Sequence, residues 1–341
     1  MSTLAQISQY ISIYGGSFIF LTGVLGGLLN IIVFLSLRTF RESSCAFYLI
    51  VMSFVNVGNL LTGLLSRIII SGFGIDWTLI SPFYCKFRWF CMQQCVLTSF
   101  TCTCLAVIDQ YMSTNARPHW RQWSNIKIAH RITGTFIIVW LLHGISYLIF
   151  FDLLVSPSTG KTTCSSTSAT FRQYHVYGYL ITLSGALPLI TSALFGYLAY
   201  RNVRQLSHRT VPLVRRELEK QLTQMVLAQI AFNVVVTLPY TTLTMLTSIH
   251  GPIDDASIAA RFDFANVMSI LLYYSSFSVS ELTMSLRSCF HSTPYRIQCP
   301  FYIYACSSQR FRQQMVYVLL HLQLNRWQRT VENHDPATPD T

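Results

Sequence analysis

Uninterrupted apolar runs of about 20 residues recur along the whole chain, and that feature alone removes most folds from consideration. They lie at residues 11–37, 46–70, 85–112, 132–154, 176–200, 222–249 and 264–306, the last of them irregular. A run of this length crosses the hydrocarbon core of a bilayer as a helix. No water in that core can satisfy an exposed backbone N–H or C=O, so spanning segments are helices or closed barrels. A barrel would show alternating stretches of about ten residues, and these runs are continuous. Only 11% of the residues are charged, against about 25% in soluble domains. The expectation is an all-α seven-transmembrane helix bundle over residues 11–306, following a short extracellular segment, 1–10.

The formal net charge of +11 raises nucleic acid as a partner, but its distribution points to a lipid bilayer instead. With the amino terminus outside, the segments facing the cytoplasm hold 16 of the 24 basic residues: Arg38, Arg41, Arg117, Arg121, Lys127, Arg131, Arg201, Arg204, Arg209, Arg215, Arg216, Lys220, Arg310, Arg312, Arg326 and Arg329. Residues 1–10 carry none, and the segment after the sixth run sets Arg261 against Asp254, Asp255 and Asp263. This is the positive-inside pattern, N-out and C-in. Solvated charge near anionic lipid accounts for most of these residues without any further role. Residues 1–10 lack a positive n-region and the first run is long enough to span, so no cleavable signal is expected. No Asn-x-Ser/Thr acceptor and no internal repeat occurs.

Particular residues narrow the class. Cys85 opens the third run, and Asp109-Gln110-Tyr111 closes it 24 positions later, roughly 36 Å along a helix. Asn30 sits in the first run as Gly-Leu-Leu-Asn, Trp140 in the fourth, Pro188 in the fifth and Pro239 in the sixth. A proline inside a helix removes a hydrogen bond and bends it, so two neighbouring helices carry points of flexure. In this order and spacing, over about residues 11–320, the chain resembles the rhodopsin-like class of G-protein-coupled receptors.

That resemblance implies a plasma-membrane, multi-pass receptor with a heterotrimeric G protein as its cytoplasmic partner. It implies a disulfide from Cys85 to Cys164, tying the second outer loop to the third helix; the outer compartment is oxidising, which agrees. Asp109-Gln110-Tyr111 stands for the family's Asp-Arg-Tyr, with glutamine in place of arginine. Glu219, twenty residues before Pro239, stands where the arginine's resting partner would be, with Arg215 and Arg216 beside it. Gln110 can offer Glu219 only a neutral-to-charged hydrogen bond, so the resting state would be held less tightly. A purely structural helix end, with Asp109 bonded locally, is the competing reading.

Four departures shape the ligand expectation. Both family spacings for the buried aspartate of the second helix lead to Gly58, so no strong sodium site is expected beside Ser99. Thr237 replaces the tryptophan two residues before Pro239. Met92, seven residues past Cys85, replaces the aspartate by which amine receptors hold an ammonium group. No lysine stands in the last run before Pro300, so a retinal Schiff base is not available. The outer half retains Arg88, Gln93, Gln94, Tyr177, Tyr240, Tyr273 and Tyr274. These residues suit a peptide or a small polar ligand. For any single tyrosine, helix packing and interface anchoring compete with that role. No metal cluster, cofactor motif or nucleophile constellation appears, and no enzyme reading has support. The alternatives are a non-signalling channel or transporter on seven helices, or a coupling-deficient receptor product.

The last run breaks after Ser278. Residues 279–298 carry Glu281, Arg287, His291, Pro294 and Arg296, which do not belong in lipid. Cys299-Pro300-Phe301-Tyr302-Ile303-Tyr304 then resumes a pattern resembling the family's Asn-Pro-x-x-Tyr. Residues 264–278 and 299–306 together make 23, one span. Valine codons begin GT and a glutamine codon can end in AG, so residues 279–298 read as a retained short intron, with a true intramembrane insertion as the alternative. Beyond them, residues 307–323 form an amphipathic pattern, with Phe311, Met315, Val318, Leu319 and Leu322 on one face, matching the family's eighth helix. Cys306 before it is a candidate for palmitoylation, and residues 324–341 form a polar tail.

Overall fold

The computed structural model describes residues 3–36, 41–155, 162–206, 213–250 and 256–278, and it is almost entirely helical. The first helix, α1, is Thr3–Ser36, starting well before the apolar run and taking in most of residues 1–10. The second, α2, spans Ser44–Phe73, with π-helical turns at Leu60–Leu64 and Ile69–Phe73. Ser43 caps its start, accepting from Ala46 N at 3.4 Å. Gly74 ends it with φ of 71°, a left-handed cap that costs a glycine little. Helix α3, Pro82–Thr114, begins with a proline in its first turn, where the missing N–H breaks no bond. After a short helix, Pro118–Trp123, Asn125 caps α4, Ile126–Phe150, through Lys127 N at 2.9 Å.

The expected fourth span, 132–154, runs too far. At Phe151 the chain leaves the helix for strand β1, Phe151–Val155, which pairs antiparallel with β2, Thr162–Ser166. An apolar run does not distinguish a helix end from a strand, and here pairing with β2 decides it. Helix α5 begins at Ala169–Gln173, passes through a long π-helical segment, Tyr174–Ala186, and continues as Leu187–Leu206. Helix α6 is Leu213–His250, with Pro239 in its interior, and α7 is Ala256–Ser278.

Among the described residues, six of these helices, α1 to α6, are long and apolar enough to cross a membrane. Their exposed faces agree. Tyr10, Tyr14, Phe18, Leu21, Leu25, Leu28, Ile32 and Leu35 form one exposed stripe down α1, and Ile138, Leu141, Leu142, Ile145 and Ile149 do the same on α4. Water would penalise such stripes; lipid does not, since its chains are as apolar as leucine. The chain is a helical multi-pass membrane protein.

Packing closes the helices on one another. Helix α3 touches α2, α4, α5 and α6, and α7 lies against both α1 and α6. Close approach uses glycine where helices meet: a Cβ on Gly23 of α1 would sit 2.5 Å from Leu60 of α2 and 2.7 Å from the Ser278 hydroxyl of α7. Ser278 instead donates to Ile19 O at 2.6 Å, joining α7 to α1. The core divides along the bundle. Phe34, Leu49, Met52 and Val107 fill the Asp109 end, and Leu60, Leu64, Leu97, Tyr179, Tyr274 and Phe277 fill the middle. Cys85, Tyr147, Phe151 and Phe171 fill the far end.

Candidate functional site

At one end of α3, Cys85 is fully buried and bonded to Cys164, with Cα atoms 5.8 Å apart. Cys164 lies on β2 opposite Leu153, so the bridge fastens the hairpin to the first turn of α3. Tyr147 stacks on Phe151 at 5.6 Å and meets Phe171 edge-on at 5.2 Å, packing the bridge in aromatic rings. Lys86, next to the bridge, pairs with Asp152 of β1 at 3.1 Å. The Asp152 carboxyl also accepts from Leu153 N at 2.8 Å. That N–H first, and Lys86 second, hold it below the usual carboxylate range. The pair lies at the surface and is a positional contact more than a source of stability.

A turn deeper, α6 and α7 bring three tyrosines together. Tyr240 stacks on Tyr273 with ring centres 4.5 Å apart, and Tyr274 meets Tyr273 edge-on at 5.9 Å. Tyr179 of α5 and Met92 of α3 pack into the same cluster. Met92, Tyr240 and Tyr273 are gathered in one cluster.

Gln93 and Tyr177 are not. Gln93 is 1% exposed and faces α4, where its Oε1 would meet a Cβ on Gly144 at 2.9 Å. Gln94 also turns to α4, donating to Ile137 O at 3.4 Å. Tyr177 is 49% exposed on the outer surface of the π-helical segment; Tyr179, two residues on, is the one turned inward. The π register changes which residues face the core, and no sequence signal announced it. Tyr179 is the member that sequence reasoning passed over.

Mid-bundle contacts are polar and specific. Ser99 donates to Asn56 Oδ1 at 2.6 Å, joining α3 to α2. Trp140 donates its indole N–H to Thr101 at 3.0 Å, joining α4 to α3. Asn30 is fully buried on α1, and Gly58 lies against Cys95, with no carboxylate at that position. A small cavity between α3, α5 and α6 is lined by Thr103, Pro188, Asn233 and Thr237. Asn233 Oδ1 and Thr237 Oγ1 are buried there with no hydrogen-bond partner among the described residues. The sulfur of Cys104 approaches Pro188 O at 4.0 Å, a long contact between α3 and α5.

At the other end of α3, Asp109 is 7% exposed and accepts from Ser44 Oγ at 2.7 Å. Ser44 begins α2, so the carboxylate sits at a helix amino end, where the macrodipole favours it. Ser44 also contacts Ser124, between the short helix and α4, at 3.2 Å. Gln110 is 1% exposed, and its carbonyl accepts from Thr114 Oγ1 at 2.6 Å. The Tyr111 ring meets Phe195 of α5 at 5.6 Å and Trp120 at 6.3 Å, and its carbonyl accepts from Asn202 at 3.4 Å. The triplet thus joins α2, α5 and the chain leading to α4. Arg215, Arg216 and Glu219 fall on α6, but their side chains are outside the described residues. Pro300, the suspected insertion 279–298, Cys306 and the amphipathic segment 307–323 lie outside them altogether.

Among the described residues, no group of three or more His, Cys, Asp or Glu side chains could hold a metal. Comparison of the sequence with known protein families and with curated proteins finds no match.

Proposed function

We propose that the chain is a receptor of the rhodopsin-like class, set N-out in the plasma membrane, that passes an extracellular signal to a heterotrimeric G protein. In this reading α7 completes a seventh crossing, and residues 307–323 lie along the inner leaflet as an eighth helix. An extracellular ligand, a peptide or a small polar molecule, enters beside Arg88, Met92, Tyr240 and Tyr273. Its binding shifts the population between two packings of the bundle, and the Asp109 end opens to the G protein.

The observation that carries the reading is the make-up of α3. One end of this central helix is tied by Cys85 to the α4–α5 hairpin, and the other holds the buried Asp109–Ser44 bond and the Tyr111 contact to α5. A ligand moving α5, α6 or α7 at the Cys85 end works against a fixed post. The packing changes at the Asp109 end, where Pro188 and Pro239 leave α5 and α6 free to bend.

The test is nucleotide exchange by purified full chain in lipid nanodiscs, with heterotrimers of each major Gα class and no added ligand. With glutamine in place of the locking arginine, exchange above that of empty nanodiscs is expected for at least one class. No exchange with any class overturns the reading and leaves the non-signalling alternatives. An amino-terminal epitope reached by antibody only after cells are permeabilised would overturn the orientation.

A further inference from the structure

The cavity between α3, α5 and α6 has a volume of about 20 Å³, and a buried water needs at least about 10–15 Å³. Its α6 wall is polar. Asn233 and Thr237 stand one helical turn apart, so they share a face, and both line the cavity. Thr237 is 2% exposed. Its hydroxyl and the Asn233 Oδ1 have no hydrogen-bond partner among the described residues, and they do not bond each other. The hydroxyl had a partner within reach on its own helix. A helical threonine can donate to a carbonyl one turn back. The other described threonines of α6 do so: Thr241 to Thr237 O at 3.2 Å, Thr242 to Leu238 O at 2.8 Å, Thr244 to Tyr240 O at 2.8 Å and Thr247 to Leu243 O at 3.1 Å. Thr237 makes no such bond and keeps its hydroxyl for the cavity.

The facing walls offer acceptors. Ser184 of α5 donates to Leu180 O at 2.9 Å, and Thr103 of α3 donates to Ser99 O at 3.0 Å. Both line the cavity. Each hydroxyl gives its hydrogen to its own helix and keeps lone pairs for a donor from the cavity. Burying a polar group without a hydrogen bond is costly. Here a donor, Thr237 Oγ1, and an acceptor, Asn233 Oδ1, meet one small space, which suits a ligand that both accepts and donates. We infer that the cavity binds a single ordered water. It accepts from Thr237 Oγ1, donates one hydrogen to Asn233 Oδ1 and gives the other to the Ser184 or Thr103 oxygen across the gap. That makes three partners, the usual number for a buried water. A bridging water holds nearly as well as a direct bond. It joins α6 to its neighbours beside Pro188, and it can change partners as α6 bends at Pro239, two residues on. The inference stands apart from the receptor reading, because it concerns how α6 is held, whatever the bundle transmits.

The test detects the water itself. The full chain in lipid nanodiscs receives a brief X-ray pulse, which turns bound water into hydroxyl radicals that oxidise the side chains beside it. Mass spectrometry then maps the label. Phe100 and Ile230 line the cavity and are buried, so label on them reports water inside it. Both are expected to be labelled in the native chain. Thr237→Val keeps the size of the side chain and removes the hydroxyl, and Asn233→Leu does the same for the amide. Each is expected to lose most of the label at both residues. Thr242→Val, which removes a hydroxyl bonded within its own helix, is expected to keep it. Melting of each variant shows that it is folded, and if either Thr237→Val or Asn233→Leu fails to fold, the other decides. No label at Phe100 and Ile230 in the native chain overturns the inference. So does label that survives either substitution, or a loss shared by Thr242→Val. A higher melting point for Thr237→Val overturns it too, because the hydroxyl would then be unpartnered in a dry cavity.

Discussion

Replacing Gly23 with alanine tests whether the junction of α1, α2 and α7 is as tight as its distances imply. The added Cβ would lie 2.5 Å from Leu60 Cδ1, 2.7 Å from Ser278 Oγ and 2.8 Å from Ser278 Cβ. Carbon contacts are favourable at about 3.5–4.0 Å, so something must move by close to an ångström. Neither neighbour has room: Leu60 and Ser278 are both 0% exposed, and Ser278 is held by its bond to Ile19 O. Overpacking of this kind costs about 1–3 kcal/mol. Alanine also gains about 0.5–1 kcal/mol over glycine inside a helix, which offsets part of that cost. Gly134 of α4 supplies the control, because a Cβ there meets nothing within 4 Å. Both substitutions carry the same helix-propensity gain, so it cancels in the comparison. Gly134→Ala should be more stable than the native chain, and Gly23→Ala less stable than Gly134→Ala by about 1–3 kcal/mol. Equilibrium unfolding of purified protein in detergent micelles with rising dodecyl sulfate measures both. Equal stability of the two variants would refute the argument, because α1 could then not be seated against Leu60 and Ser278 as described.

Three further outcomes are expected. Cys85→Ala and Cys164→Ala should each lower surface expression by a similar amount, with the double variant little worse than either, as measured by surface labelling; thiol mapping of the native chain should find neither sulfur free. Gln110→Arg should lower basal nucleotide exchange, because a charge-assisted bond to Glu219 is about twice as strong as a neutral one; unchanged exchange in equal amounts of protein would show that this position is not a lock. Deletion of residues 279–298 should raise surface expression and any signalling, and sequencing should find transcripts joining the Ser278 and Cys299 codons. If every transcript keeps the segment and the deletion abolishes expression, the insertion belongs to the fold.

The location of the long helices could be read from the residues, because a membrane span depends on a local property, the length of an uninterrupted apolar run. Each of the seven long helices overlaps an expected run; the ends of α2 lie within a few residues of it, where Ser43 and Gly74 cap the helix, whereas α1 and α6 begin well before theirs. The bonded pair Cys85–Cys164 followed from compartment and resemblance, and the structure forms it.

What only the tertiary structure decided depends on partners far away in sequence. Phe151–Val155 is as apolar as the helix before it, and becomes a strand because Thr162–Ser166 pairs with it. Tyr177 and Tyr179 are alike as sequence, and the π-helical segment puts one at the surface and the other in the core. Gln93 turns to α4 because Gly144 leaves space for it, and Asp109 finds Ser44 sixty-five residues away. Hydrophobic run length is written residue by residue along the chain. The direction a side chain takes within the bundle is set by the helices packed against it, and no local stretch of sequence contains them.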